Sequence, residues 1–282
     1  MKYGMNLFLW RDDMHDDLLP VMEQIKEMGF DGVEVPLLDL NLDKWQIWAK
    51  RLDDLGLERT AVTVCNEAAN PISQDPAVRS QGVDMLKQTL DCCQALGAYS
   101  LNGPLHSGLG IFSGKAPSEQ EWEWGVENLK KVSEHAAVCS VLLGIEFLNR
   151  FETYFLTCTA DAVKFVREID HPNCRMMYDT FHAHIEEKSV AESIRSCAEY
   201  LILVHTSEND RSTPGSGGVN WKATFDTLKE INYDGWLTIE AFGQSLEDLL
   251  AATKIWRRMY ESEEQLASDG LNFLKQEVAK RW

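Results

Sequence analysis

Histidine and basic side chains are scarce in this chain. It has 7 histidines, and 27 lysines and arginines against 45 aspartates and glutamates in 282 residues, for a formal net charge of −18. A surface that acidic repels phosphate backbones and anionic headgroups, which excludes nucleic acid and membranes as partners. Long hydrophobic runs are absent as well: no stretch approaches about 18 uncharged apolar residues. The opening "MKYGMNLFLW" lacks the longer apolar core and small-residue cleavage site of a signal peptide, so a cytoplasmic location is expected. No linker-like segment interrupts the chain. Its seven cysteines, Cys65, Cys92, Cys93, Cys139, Cys158, Cys174 and Cys197, form no C-x-x-C pair and are odd in number. Free thiols acting as small buried apolar groups are expected, in preference to zinc ligands or disulfides.

What is present suits one large core. Hydrophobic residues make up 44% of the chain, with 9 tryptophans, and one α/β barrel of roughly 250 residues is an ordinary size. Short apolar runs near Lys2–Leu9, Gly32–Pro36, Glu58–Val64, Ser100–Leu105, Leu142–Phe147, Arg175–Asp179, Leu201–His205 and Trp236–Glu240 alternate with amphipathic stretches, as in repeated βα units. Glycines in "EQIKEMGFDG", "KRLDDLGLER" and "CQALGAYS" close helices in the left-handed conformation. Ser118 with Glu121 reads as a capping box, followed by Trp122, Val126, Leu129 and Val132 on a core-facing stripe. The pattern predicts a single-domain (β/α)8 TIM barrel over residues 1–282, with a C-terminal helical extension near Glu263–Lys280. The loop from Asn102 to Ser118 is the longest stretch without periodicity and is expected to cover the active site.

Charged residues stand where these apolar runs end. Glu146 interrupts "VLLGIEFLNRFETYF", Asp179 ends "RMMYD", His205 ends "LILVH" and Glu240 ends "LTIE". A charge in a buried strand is costly unless paired, but inward side chains on adjacent strands, about 4.8 Å apart, can converge on one point. Three carboxylates and one imidazole make a fairly hard donor set, suited to one divalent ion, Mn²⁺ first and Co²⁺ or Mg²⁺ as substitutes. Glu152, His182 and Arg211 follow the ligands by a few positions, where βα loops begin. The glycine-rich run after Arg211 lacks the spacing of a phosphate loop.

The segments "IEFLNRFE", "YDTFHAHIEE", "HTSENDRSTPGSG" and "WLTIEAF" resemble, in order, those of ketose 3-epimerases of the D-tagatose and D-psicose (allulose) group, in the xylose-isomerase-like barrel superfamily. The resemblance implies that Glu146, Asp179, His205 and Glu240 bind the metal and that Glu146 and Glu240 are also the catalytic acid and base. Glu152, His182 and Arg211 would hold the substrate. It implies a homodimer or homotetramer. Two departures bear on sugar specificity: Asn6 stands where the family usually presents an aromatic side chain, and His106 lies in "GPLH", beside the substrate.

The implied reaction inverts C3 of a free ketose of the D-tagatose, D-psicose/D-fructose or L-ribulose type through a cis-enediolate. Inversion needs a proton removed from one face and another delivered to the opposite face, which two carboxylates can do. The nearest rival keeps the site and shifts the proton between C1 and C2, as an aldose-ketose or hydroxypyruvate-type isomerase. A DNA-repair endonuclease on the same barrel would need more histidine ligands and a basic groove, and the charge argues against it.

Overall fold

The computed structural model describes residues 1–244, 250–251 and 253–282. Eight parallel strands close into a barrel in chain order: β1 (Lys2–Asn6), β2 (Gly32–Pro36), β3 (Glu58–Val62), β4 (Ser100–Gly103), β5 (Leu142–Ile145), β6 (Cys174–Asp179), β7 (Leu201–Thr206) and β8 (Trp236–Ile239). The expected (β/α)8 architecture is present. Helices α1 (Leu19–Met28), α2 (Leu42–Leu55), α3 (Pro76–Leu96), α4 (Glu119–Cys139), α5 (Thr159–Ile169), α6 (Thr180–Glu186), α7 (Val190–Cys197) and α8 (Trp221–Glu230) surround it. The C-terminal helix, Glu263–Ala279, buries Leu266, Ala267, Leu271 and Leu274 and packs against β8 and α1, which completes the helical ring.

Local chemistry sets the element ends as the sequence predicts. Gly29, Gly56 and Gly97 cap α1, α2 and α3 with φ of 92°, 64° and 72°, values only glycine adopts without cost. Ser118 accepts from the Glu121 N–H while Glu121 returns the bond, so the capping box forms at α4. Leu129 and Val132 are buried, with Trp122 and Val126 packed beside them.

Several strands stop short of their apolar runs. β5 ends at Ile145, yet Phe147 and Leu148 stay buried. The chain beyond the ladder still lies under the βα loops, so hydrophobicity outlasts strand geometry. The segment from 104 to 118 holds no regular element but is not loose throughout. Leu105, His106 and Ser107 are buried, and the N–H groups of Leu109 and Gly110 donate to Cys65 O and Glu152 O. Six of the seven cysteines are buried, Cys158 is half-buried, and all are free thiols.

Candidate metal centre

The C-terminal ends of β5 to β8 deliver the four expected residues to one point. Asp179 is the last residue of β6, His205 lies near the end of β7, and Glu146 and Glu240 directly follow β5 and β8. All four are buried, and ligand atoms from each lie within 4.8 Å of one another. His205 Nδ1 stands 3.4 Å from Glu240 Oε1 and 4.0 Å from Glu146 Oε1. That nitrogen is buried and has no hydrogen-bond partner.

The other ring nitrogen explains the orientation. His205 Nε2 donates to Glu34 Oε2 at 2.6 Å, so on a neutral ring the Nδ1 lone pair points into the carboxylates. Either a proton or a cation must stand there. Burial alone would lower the His205 pKa, but Glu240 and Glu34 hold it well above the ordinary 6.5. Burial raises Glu146 well above the usual carboxylate range, helped by Glu240. Asp179 is pushed up to about 7 by burial, against the pull of Arg211. For Glu240 the upward push of burial is outweighed by His205 and Arg211, which hold it low. These are the marks of excess negative charge in a dry site, and an orphaned imidazole nitrogen with three carboxylates fits one divalent cation.

A second layer of polar residues, absent from the sequence reading except for Asn6, supports the first. Glu34 on β2 is fully buried and accepts from Asn6 Nδ2 (2.8 Å), Asn102 Nδ2 (2.9 Å) and Thr60 Oγ1 (3.3 Å) besides His205. Asn6 also lies 3.5 Å from Glu240 Oε1, so its polar side chain belongs to the floor of the site. Gly144 leaves room for Asn102: a Cβ there would meet the Asn102 Oδ1 at 2.2 Å.

The residues expected to touch substrate gather around this centre. His182 Nδ1 accepts the Asn149 backbone N–H at 3.0 Å, and its Nε2 lies 3.2 Å from Arg211 Nη2. The same nitrogen stands 3.6 and 3.7 Å from Glu146 and Asp179. Burial and Arg211 keep the ring neutral, with its pKa well below 6.5. Asn149 Nδ2 also donates to Glu152 Oε1 at 2.7 Å, so one unassigned asparagine orients both His182 and Glu152. Arg211 Nη1 bonds Asp179 Oδ2 at 2.8 Å and Glu240 Oε2 at 2.6 Å, while its guanidinium lies over the Phe181 ring at 3.8 Å. Arg211 is thus closer to the ligands than loop spacing implies. His106 is fully buried; its Nε2 donates to the Glu146 carbonyl at 2.9 Å and its Nδ1 accepts from Ser107 Oγ at 2.8 Å. Both nitrogens are engaged within the protein, and the ring fixes the peptide of Glu146.

The glycine-rich run after Arg211 wraps a built-in anion. Glu208, fully buried, accepts from the N–H groups of Asn209 (3.0 Å), Gly215 (2.8 Å) and Val219 (3.0 Å) and from Trp221 Nε1 (2.9 Å). Its carbonyl takes the Arg211 N–H at 2.9 Å, and Arg211 sits at φ 64°, a conformation non-glycine residues adopt only when held there.

Comparison with known proteins agrees with this geometry. Residues 22–277 match the model of the xylose isomerase-like TIM barrel family. The chain is 32% identical to a D-psicose 3-epimerase of Enterocloster bolteae, over 98% of this chain and 94% of that protein. It is 32% identical to an L-ribulose 3-epimerase of Mesorhizobium japonicum, over 97% and 93%. A solved L-ribulose 3-epimerase structure superposes with a TM-score of 0.93 at 30% identity, covering 99% of this chain and 95% of the other.

Proposed function

This chain belongs to the ketose 3-epimerases of the xylose isomerase-like TIM barrel family, and on that premise we propose that it inverts C3 of a free ketose of the D-tagatose, D-psicose/D-fructose or L-ribulose type. The observation that carries the reading is the convergence of Glu146, Asp179, His205 and Glu240 around a buried imidazole nitrogen without a partner. A divalent cation held by these four supplies Lewis acidity, which makes the proton beside the ketone easier to remove. The proposal takes Mn²⁺ as that ion, with Co²⁺ or Mg²⁺ able to replace it, and a homodimer or homotetramer in the cytoplasm.

Glu146 and Glu240 come from strands on different sides of the cluster. One takes the C3 proton and the other returns one, their roles exchanging with the direction of reaction. His182, kept neutral beside Arg211, lines the place where substrate oxygens meet the metal ligands. Arg211 neutralises the ligand carboxylates and presents its remaining N–H groups to oxygens that gain charge. Glu152, steadied by Asn149, receives a sugar hydroxyl and fixes orientation. His106 borders the site through the Glu146 carbonyl.

The free-sugar assignment rests on the loop after β7. Its amides at 209, 215 and 219 are spent on Glu208, and those at 212 and 218 on Asp210 Oδ1 and Asn209 Oδ1. A phosphate would have to compete with carboxylate and amide oxygens of the same loop for these donors. The test is exhaustive chelation followed by add-back, assayed on free and phosphorylated ketoses. Activity should vanish without metal, return with Mn²⁺ and favour free ketoses. Full activity in metal-free protein, or a higher kcat/KM for a phosphorylated ketose than for every free one, would overturn the reading.

A further inference from the structure

A second set of metal-ligating side chains meets between α3 and α4. Asp91 projects from α3, and His135 and Cys139 lie four residues apart on α4, hence on one face. His135 Nε2 is 2.7 Å from Asp91 Oδ1 and Cys139 Sγ is 3.5 Å from the same oxygen. Ligand atoms from all three lie within 4.8 Å of one another. Around a tetrahedral ion with bonds of about 2.0 to 2.3 Å, neighbouring ligand atoms stand about 3.3 to 3.8 Å apart, so small rotamer changes would close the set.

Position adds an independent reason for a cation. Cys139 is the last residue of α4, and Ser140 turns the chain out of the helix at φ 58°. The final carbonyls of a helix carry partial negative charge. Cys139 is buried, while the side chains of His135 and Asp91 are 27% and 46% exposed, so an ion can enter and keep a water as fourth ligand. The site lies at the end of α4 that leads into β5, away from the barrel face that carries the catalytic cluster.

The donor chemistry separates the two sites. Nitrogen, sulfur and oxygen form a softer set than three carboxylates and an imidazole, and sulfur favours Zn²⁺ or Co²⁺ over Mn²⁺ or Mg²⁺. We propose that Asp91, His135 and Cys139 bind a second divalent ion of the Zn²⁺ or Co²⁺ type, tying α3 to α4. Binding replaces the Cys139 thiol proton: the S–H bond breaks, a sulfur–metal bond forms, and one proton is released to solvent.

The test uses the full chain saturated with Mn²⁺ and titrated with Co²⁺, followed by near-ultraviolet absorption. A thiolate-to-cobalt charge-transfer band can come only from a sulfur ligand, and the catalytic cluster has none. With Mn²⁺ kept in large excess, the band should level off at the intensity of one thiolate-bound Co²⁺ per chain, be competed away by Zn²⁺, and vanish in Cys139→Ser. In His135→Gln, a change at a partly exposed position that spares the fold, Co²⁺ affinity should fall about tenfold or more. Both variants should keep their epimerase activity. No band in the wild-type protein, a band that survives Cys139→Ser, or unchanged affinity in His135→Gln would each overturn the site.

Discussion

At Glu34 four donors meet one carboxylate: His205, Asn6, Asn102 and Thr60. Glu34→Gln keeps the shape but turns one acceptor into an NH₂ group, so at least one of these donors faces another donor. The amide oxygen can serve only one pair, His205 with Asn6 or Asn102 with Thr60, so the hold on the His205 ring at the candidate metal centre weakens. The expected result is metal affinity weakened by about 10- to 100-fold, measured by calorimetric titration of the apo protein, with the fold retained by circular dichroism. Unchanged affinity would mean that the ligand ring is oriented by packing alone. Glu34 was not legible in the sequence because its partners lie on β1, β3, β4 and β7, brought together only by the barrel. The four residues of the candidate metal centre could be read because each breaks an apolar run at a strand end. Asn149 was hidden for a different reason: it acts through its backbone N–H as much as its side chain, and backbone donors leave no residue-type signal.

Among the elements, the loop between β7 and α8 lacks the spacing of a phosphate loop, and its amides instead hold Glu208 of the same chain. Glycine is needed at 217, where a Cβ would meet Asn209 Oδ1 at 2.3 Å and Glu208 Cδ at 2.8 Å. Glu208→Gln should leave metal content near wild type while lowering kcat/KM by about 10²-fold, because Arg211 loses its placement and small displacements of a positioning group are costly. Steady-state kinetics beside metal analysis checks this, and wild-type kcat/KM would show that Arg211 is held by Asp179 and Glu240 alone. Strand positions were legible to within a few residues, since alternation of apolar runs with capped helices is local. Their ends were not, because burial under the βα loops continues the apolar pattern past the last ladder bond, as at Phe147.

For the whole molecule, the buried thiols make stability depend on alkaline pH. Burial pushes Cys65, Cys174 and Cys197 up to about 12 from 9.0. Below pH 9 both folded and unfolded chains keep these protons. Between pH 9 and 12 only the unfolded chain releases them, so stability is lost as pH rises through this window. The urea midpoint should be lower at pH 10 than at pH 8, and the difference should shrink in Cys174→Ala; a midpoint indifferent to pH over that range would contradict the burial. Barrel, metal cluster and paired carboxylates meet in one claim, that Glu146 and Glu240 invert C3 of a ketose. The most direct measurement is proton NMR of D-psicose, D-tagatose and L-ribulose incubated in D₂O with the Mn²⁺-loaded protein and with Glu240→Gln. The account predicts C3 epimers carrying deuterium at C3 with the wild-type protein, and epimer formation slowed by about 10²-fold or more in the variant. An aldose carrying deuterium at C2, or epimerisation by Glu240→Gln at the wild-type rate, would contradict it.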